Sequence, residues 1–176
     1  MRVMPRILRT LLIFVVLANV INLRATEIEA KLQPLSVSAA NIHFESANPD
    51  FSSLGYVAIR GAALYLALGM YVESNPGGRD GEAALAKQYQ EQATTLVYVG
   101  TYLNKGVDHM SDDAIIERLK MLSSLYAGEM KSNKLMNNVV ITDFIKNDLL
   151  VVKNTFPLIN TISLELLKNE AKKSEK

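Results

Sequence analysis

The sequence predicts an all-α protein, a compact four-helix bundle preceded by an N-terminal signal peptide or anchor helix. Three observations carry that expectation. Beyond residue 50 the apolar residues recur at helical spacing. The breaks between periodic runs are strong, above all Asn75-Pro76-Gly77-Gly78. The runs on either side of that break each carry small residues seven positions apart, the signature of two helices that pack closely.

The N-terminal segment reads as an address. Arg2, Arg6 and Arg9 precede an uncharged apolar run over residues 11–23, which fits entry into a translocon with the arginines left on the cytoplasmic side. Residues 1–25 are therefore assigned to a signal peptide cut after Ala25. The residues before that cut are a poor match for a peptidase, because Leu23 is large and Arg24 is charged. An uncleaved anchor over residues 7–23 stays open, since its length meets the lower limit for a span.

Loss of Arg2, Arg6, Arg9 and Arg24 would leave 15 of the 19 basic residues against 18 acidic ones, a net charge near −3. No Lys and Arg cluster lies outside the C-terminal tail, which argues against nucleic acid as a partner. The chain has no Cys, so disulfides and thiolate metal sites are excluded and stability must come from packing. A chain of this size needs only one core.

Residues 26–50 form an irregular N-terminal arm bounded by Pro34 and Pro49, in which residues 36–43 fit either a strand or an extended segment. The helical domain follows over residues 51–168. Its first helix, about 51–73, is capped by Asn48 or Asp50 and is apolar nearly all round. Gly55, Ala62 and Gly69 repeat every seven residues, with Ala58, Tyr65 and Val72 between them. In the second helix, about 81–104, Ala86, Ala93 and Gly100 do the same beside Tyr89, Leu96 and Leu103. The short connection makes the pair an antiparallel hairpin with facing seams.

A third helix starts at Ser111, whose hydroxyl caps free amides while Asp112 and Asp113 complement the helix dipole. Ile115, Leu119, Leu122, Leu125, Tyr126 and Met130 make its apolar face. The fourth is expected over about 136–156, with Val139, Thr142, Ile145, Leu149, Val152 and Phe156 on one face and Pro157 as its end. A short piece over 162–168 and a charged disordered tail over 169–176 close the chain.

Few residues suggest chemistry. Arg60 interrupts the apolar first helix, which has the length of a membrane span but carries this one costly charge. In a soluble helix Arg60 must reach water beside Tyr56 or meet an acid, and Asp148, failing that Asp143, are the acids embedded in comparably apolar sequence. Arg60, Tyr65, Asp143 and Asp148 thus form the candidate buried polar cluster. His43 and His109 are isolated, and the acids at 108, 112 and 113 read as helix-start decoration. The serine pairs at 52–53 and 123–124 lack companions for a triad, and the glycines near 77 follow a helix without a closing Lys-Ser. No catalytic, metal or cofactor site is assigned. The function class expected is an exported, periplasmic or secreted, helical protein that binds a protein partner. The alternatives are a membrane-anchored component, and an enzyme or small-ligand binder with a site around Arg60.

Overall fold

The computed structural model describes Leu35, residues 50–74 and residues 81–174. Residues 1–34, 36–49, 75–80 and 175–176, on which the expected signal peptide or anchor, most of the expected arm and the expected helix-to-helix connection fall, lie outside the described residues. Four helices and no strand occur among the described residues: α1 Phe51–Ser74, α2 Glu82–Gly106, α3 Asp112–Asn137 and α4 Asp143–Ser174.

Asp50 starts α1. Its carboxylate accepts the Ser53 N–H at 3.0 Å and the Ser53 hydroxyl, and its carbonyl accepts the Leu54 N–H at 3.0 Å. The helix is apolar around its circumference because it sits at the centre, in contact with α2, α3 and α4. It is the one helix among the described residues long and apolar enough to cross a membrane, and 72% of that stretch is buried inside the protein.

The α1–α2 hairpin is antiparallel, with Gly55 beside Leu103 and Asn104 at one end and Gly69 beside Ala86 and Tyr89 at the other. At Gly69 the seam brings two small residues together, a Cβ there lying 3.7 Å from the Ala86 carbonyl oxygen, whereas Gly100 and Gly55 each leave room for a larger side chain: a Cβ on Gly100 would lie 2.8 Å from Ile59 Cδ1, and one on Gly55 2.8 Å from Asn104 Nδ2 and 3.2 Å from Leu103 Cβ. Tyr65 stacks on Tyr89 across the same seam, with ring centroids 5.7 Å apart.

Ser111 caps α3 through a 3.2 Å bond from the Ala114 N–H, and Ile115, Leu119, Leu122, Tyr126 and Met130 are buried. The helix ends where Asn138 takes a left-handed conformation, φ 53°.

In α4 the structure corrects the expected boundaries at both ends. The helix starts at Asp143, not near 136, because Asn138 breaks the chain direction and Thr142 caps the new helix, its carbonyl accepting the Lys146 N–H at 2.9 Å. Val139 and Thr142 therefore belong to the connection. At the other end Pro157 does not stop the helix. Its ring lies on the exposed side, while Val152, Thr155, Ile159 and Ser163 keep one face buried on both sides of it. That continuous packing offsets a penalty of about 3 kcal/mol for an interior proline. The Thr155 hydroxyl donates to the carbonyls of Val151 and Val152, and the Thr161 hydroxyl to that of Pro157, each at 3.0 Å. Residues 169–174, expected as disordered tail, are helical. Near that end the Tyr98 hydroxyl of α2 is pushed up to about 12 by its burial and by a hydrogen bond and charge from Glu170.

Candidate functional site

α1, α3 and α4 each place one polar side chain at a common buried point. Arg60 stands three turns into α1 at 3% exposure, Tyr126 faces inward from α3, and Asp148 lies in the second turn of α4 at 0%. The Arg60 Nη2 donates to Asp148 Oδ2 at 2.6 Å, its Nε donates to the Tyr126 hydroxyl at 2.9 Å, and its Nη1 donates to the Tyr56 hydroxyl at 3.2 Å. Tyr126 in turn donates to Asp148 Oδ2 at 2.5 Å. The guanidinium carbon also lies 5.9 Å from the Tyr126 ring centre and 6.0 Å from that of Phe144, at the outer range of cation–π attraction.

The second oxygen of Asp148 is committed to the N-terminal arm. Leu35, itself buried, donates its N–H to Asp148 Oδ1 at 2.7 Å, and its carbonyl accepts from Asn147 Nδ2 at 2.9 Å. The carboxylate thus joins α1, α3 and the arm to α4.

The electrostatics follow from this closure. Burial works against the Arg60 charge, but Tyr126, Tyr56 and Asp148 outweigh it and hold the guanidinium pKa above its ordinary value. Burial, reinforced by the Asp148 carboxylate, raises the Tyr126 phenol well above the usual tyrosine range, with Arg60 opposing. Arg60 stays charged and Tyr126 stays neutral across the physiological range. Every guanidinium nitrogen is engaged, both carboxylate oxygens are used, and no group in the cluster is a poised nucleophile or base. The arrangement fastens helices together.

Of Arg60, Tyr65, Asp143 and Asp148, Arg60 and Asp148 meet. Tyr65 does not join them. It lies in the α1–α2 seam against Tyr89, where burial raises its phenol pKa. Asp143 is placed at the exposed start of α4, its side chain 98% accessible and 3.0 Å from Lys146. The reason is register: Asp143 lies five residues before Asp148, on another side of the helix. The structure adds Tyr126, Asn147 and Leu35, which the sequence pattern does not single out as polar-site residues. For Tyr126 a signal existed, since a hydroxyl in a buried stripe needs a partner. For Leu35 none existed, because its contacts are backbone atoms.

The other polar groups are held locally. Asn104, fully buried, donates from Nδ2 to the Gly100 carbonyl at 2.7 Å and accepts from Arg118 at 3.1 Å, which closes the α2–α3 corner. Asp108 accepts the Ser52 hydroxyl at 2.7 Å and Asp112 pairs with Lys105 at 2.8 Å. No group of three or more His, Cys, Asp or Glu side chains suited to a metal ion occurs among the described residues. His109 is exposed in a left-handed conformation, φ 54°, and His43 lies outside the described residues. The Ser123 hydroxyl is buried without a hydrogen-bond partner among the described residues, so no base activates it there.

No protein-family model, curated protein or solved structure matches this chain.

Proposed function

We propose that this chain is an exported helical protein, periplasmic or secreted, that works by binding a protein partner. The observation that carries the reading is the contrast between interior and surface. Inside, Arg60, Tyr126 and Asp148 are bonded to one another. Outside, large apolar side chains stand in water at the α3–α4 corner, where Leu135 is 77% and Met136 72% exposed, with Val139 close by in sequence. Apolar side chains gathered at one exposed corner favour a contact surface. Export rests on the arginines and apolar run of residues 1–25.

A membrane-anchored form is the second reading, favoured by the poor cleavage residues Leu23 and Arg24. A ligand site around Arg60 has less support, because the guanidinium is engaged by its own chain on all three nitrogens.

The test is expression in the native cell with a C-terminal tag, followed by fractionation and intact-mass measurement. A soluble exported chain beginning at Thr26 is expected. Full-length chain resisting an alkaline carbonate wash would favour the anchor. A partner should co-purify with the unaltered chain and be lost with Leu135→Asp/Met136→Asp, whose thermal stability should stay unchanged. Equal recovery with both would remove that corner as the contact surface.

A further inference from the structure

Two adjacent side chains of α4 hold the backbone of Leu35. Asn147 and Asp148, adjacent on α4, grip both polar groups of one residue: Asp148 Oδ1 accepts its N–H at 2.7 Å and Asn147 Nδ2 donates to its C=O at 2.9 Å. An antiparallel strand makes the same exchange with a residue of its neighbour, here reproduced by two side chains on a helix. The residue gripped is 3% exposed, so an apolar side chain is buried together with the backbone contact. Backbone bonds of this kind are blind to sequence, and the buried leucine supplies the selectivity. Leu35 is 112 and 113 residues away from its two partners, so the grip is not a local turn.

The grip is also wired to the centre of the bundle. Asp148 holds the arm with one oxygen while the other holds Arg60 and Tyr126. Occupation of the grip gives Asp148 Oδ1 its shorter hydrogen bond, and an empty grip leaves that buried oxygen only the longer 3.4 Å bond from Asn147 Nδ2.

We propose that Asn147 and Asp148 form a binding site for a polypeptide segment presenting a leucine, occupied in cis by Leu35 and available to a partner's segment of the same chemistry when Leu35 leaves. The proposal rests on the partner-binding reading above and names the chemistry of one contact. The chain's own leucine is seated in the site with both backbone groups bonded.

A fluorescent peptide of residues 31–40 serves as probe, with fluorescence anisotropy as the readout on the full chain. The unaltered protein should bind it poorly, because Leu35 competes at high effective concentration. Leu35→Asp should bind it saturably and at least about tenfold more tightly, a gain of about 1.4 kcal/mol. Adding Asn147→Ala should weaken that binding by about threefold to tenfold, the worth of one hydrogen bond. A probe carrying Asp in place of the leucine should not bind. Leu35→Asp that keeps its helical circular dichroism yet does not bind, or binds equally with Asn147→Ala, would overturn the site.

Should Leu35→Asp fail to fold, isotopically labelled probe in excess over the unaltered chain decides instead. Hydrogen exchange at the chain's own residue 35 should rise as probe is added, and exchange independent of the probe would overturn the proposal. A dimer of the unaltered chain, dissolved by Leu35→Asp, would make a second copy the occupant and overturn the assignment to a partner. Partner capture that survives Asn147→Ala but not Leu135→Asp/Met136→Asp would remove this site and leave the partner-binding reading standing.

Discussion

Along α1, the face turned to α2 is held by shape, Gly100 receiving Ile59 and Gly55 receiving Leu103, whereas the face turned to α3 and α4 is fastened at Arg60 by Tyr126 and Asp148. The seam spreads its stabilisation over many dispersion contacts, each small, repeated every two turns. The polar cluster concentrates it in a few bonds that share one carboxylate. A distributed contact yields gradually to substitution. A shared buried charge fails at once, because each partner removed strands the others in a low-dielectric interior.

Asp148→Ala should therefore have the largest effect, a loss of about 3–5 kcal/mol from leaving the buried Arg60 charge without its carboxylate partner. Chemical denaturation of the variant against the unaltered chain measures it, and a loss below about 1 kcal/mol would mean that Arg60 finds other compensation. Gly100→Ala should cost about 1–3 kcal/mol by overpacking the seam. Its new Cβ would meet not only Ile59 Cδ1 at 2.8 Å but also the Ile59 backbone N at 3.1 Å, which has little freedom to give. Ala62→Leu, in the same helix and fully buried, should fall in that range, while a large residue at Lys87, whose side chain is 76% exposed, should be nearly neutral.

Tyr126→Phe should cost about 1–3 kcal/mol, since Arg60 and Asp148 each lose a buried hydrogen bond. Its pH dependence is more telling. Tyr126 has its pKa raised above the ordinary 10.0 in the folded chain, so the folded state keeps a proton that the unfolded state releases. Its contribution is fully present below pH 10 and is lost as the pH rises further, and urea titrations above that pH should show stability falling less steeply in Tyr126→Phe. An unchanged alkaline slope would place the ionisation elsewhere, at Tyr65 or Tyr98. Smallest and of opposite sign, Gly128→Ala should stabilise by about 0.5–1 kcal/mol by removing backbone freedom from a helix interior. A Cβ there meets nothing within 4 Å, so thermal melting should rise where Gly100→Ala lowers it.

What the sequence revealed follows the same division. Periodic features were legible: the four helices, the small residues of the hairpin, the Ser111 cap and the α3 stripe all repeat within one or two turns. Arg60 was legible for the converse reason, as a charge where the period demands an apolar residue, and Asp148 as its counterpart in α4. Tyr126 was hidden because a tyrosine in an apolar stripe looks like one more hydrophobe. The α4 boundaries were obscured by Val139 and Thr142, which continue the helical spacing past a break made by one left-handed Asn138, and by Pro157, whose cost is offset by the buried face that Ile159 and Ser163 carry on beyond it. Leu35 was beyond reach, since its role lies in backbone atoms that every residue shares.

Whether Arg60 and Asp148 act as one structural unit is decided by the double-mutant cycle of Arg60→Met and Asp148→Leu, measured by denaturant unfolding. Each single substitution should cost about 3–5 kcal/mol, and the double variant should cost at least about 2 kcal/mol less than their sum, because the second removal relieves the charge stranded by the first. Losses that simply add would contradict the account and show that each side chain is satisfied without the other.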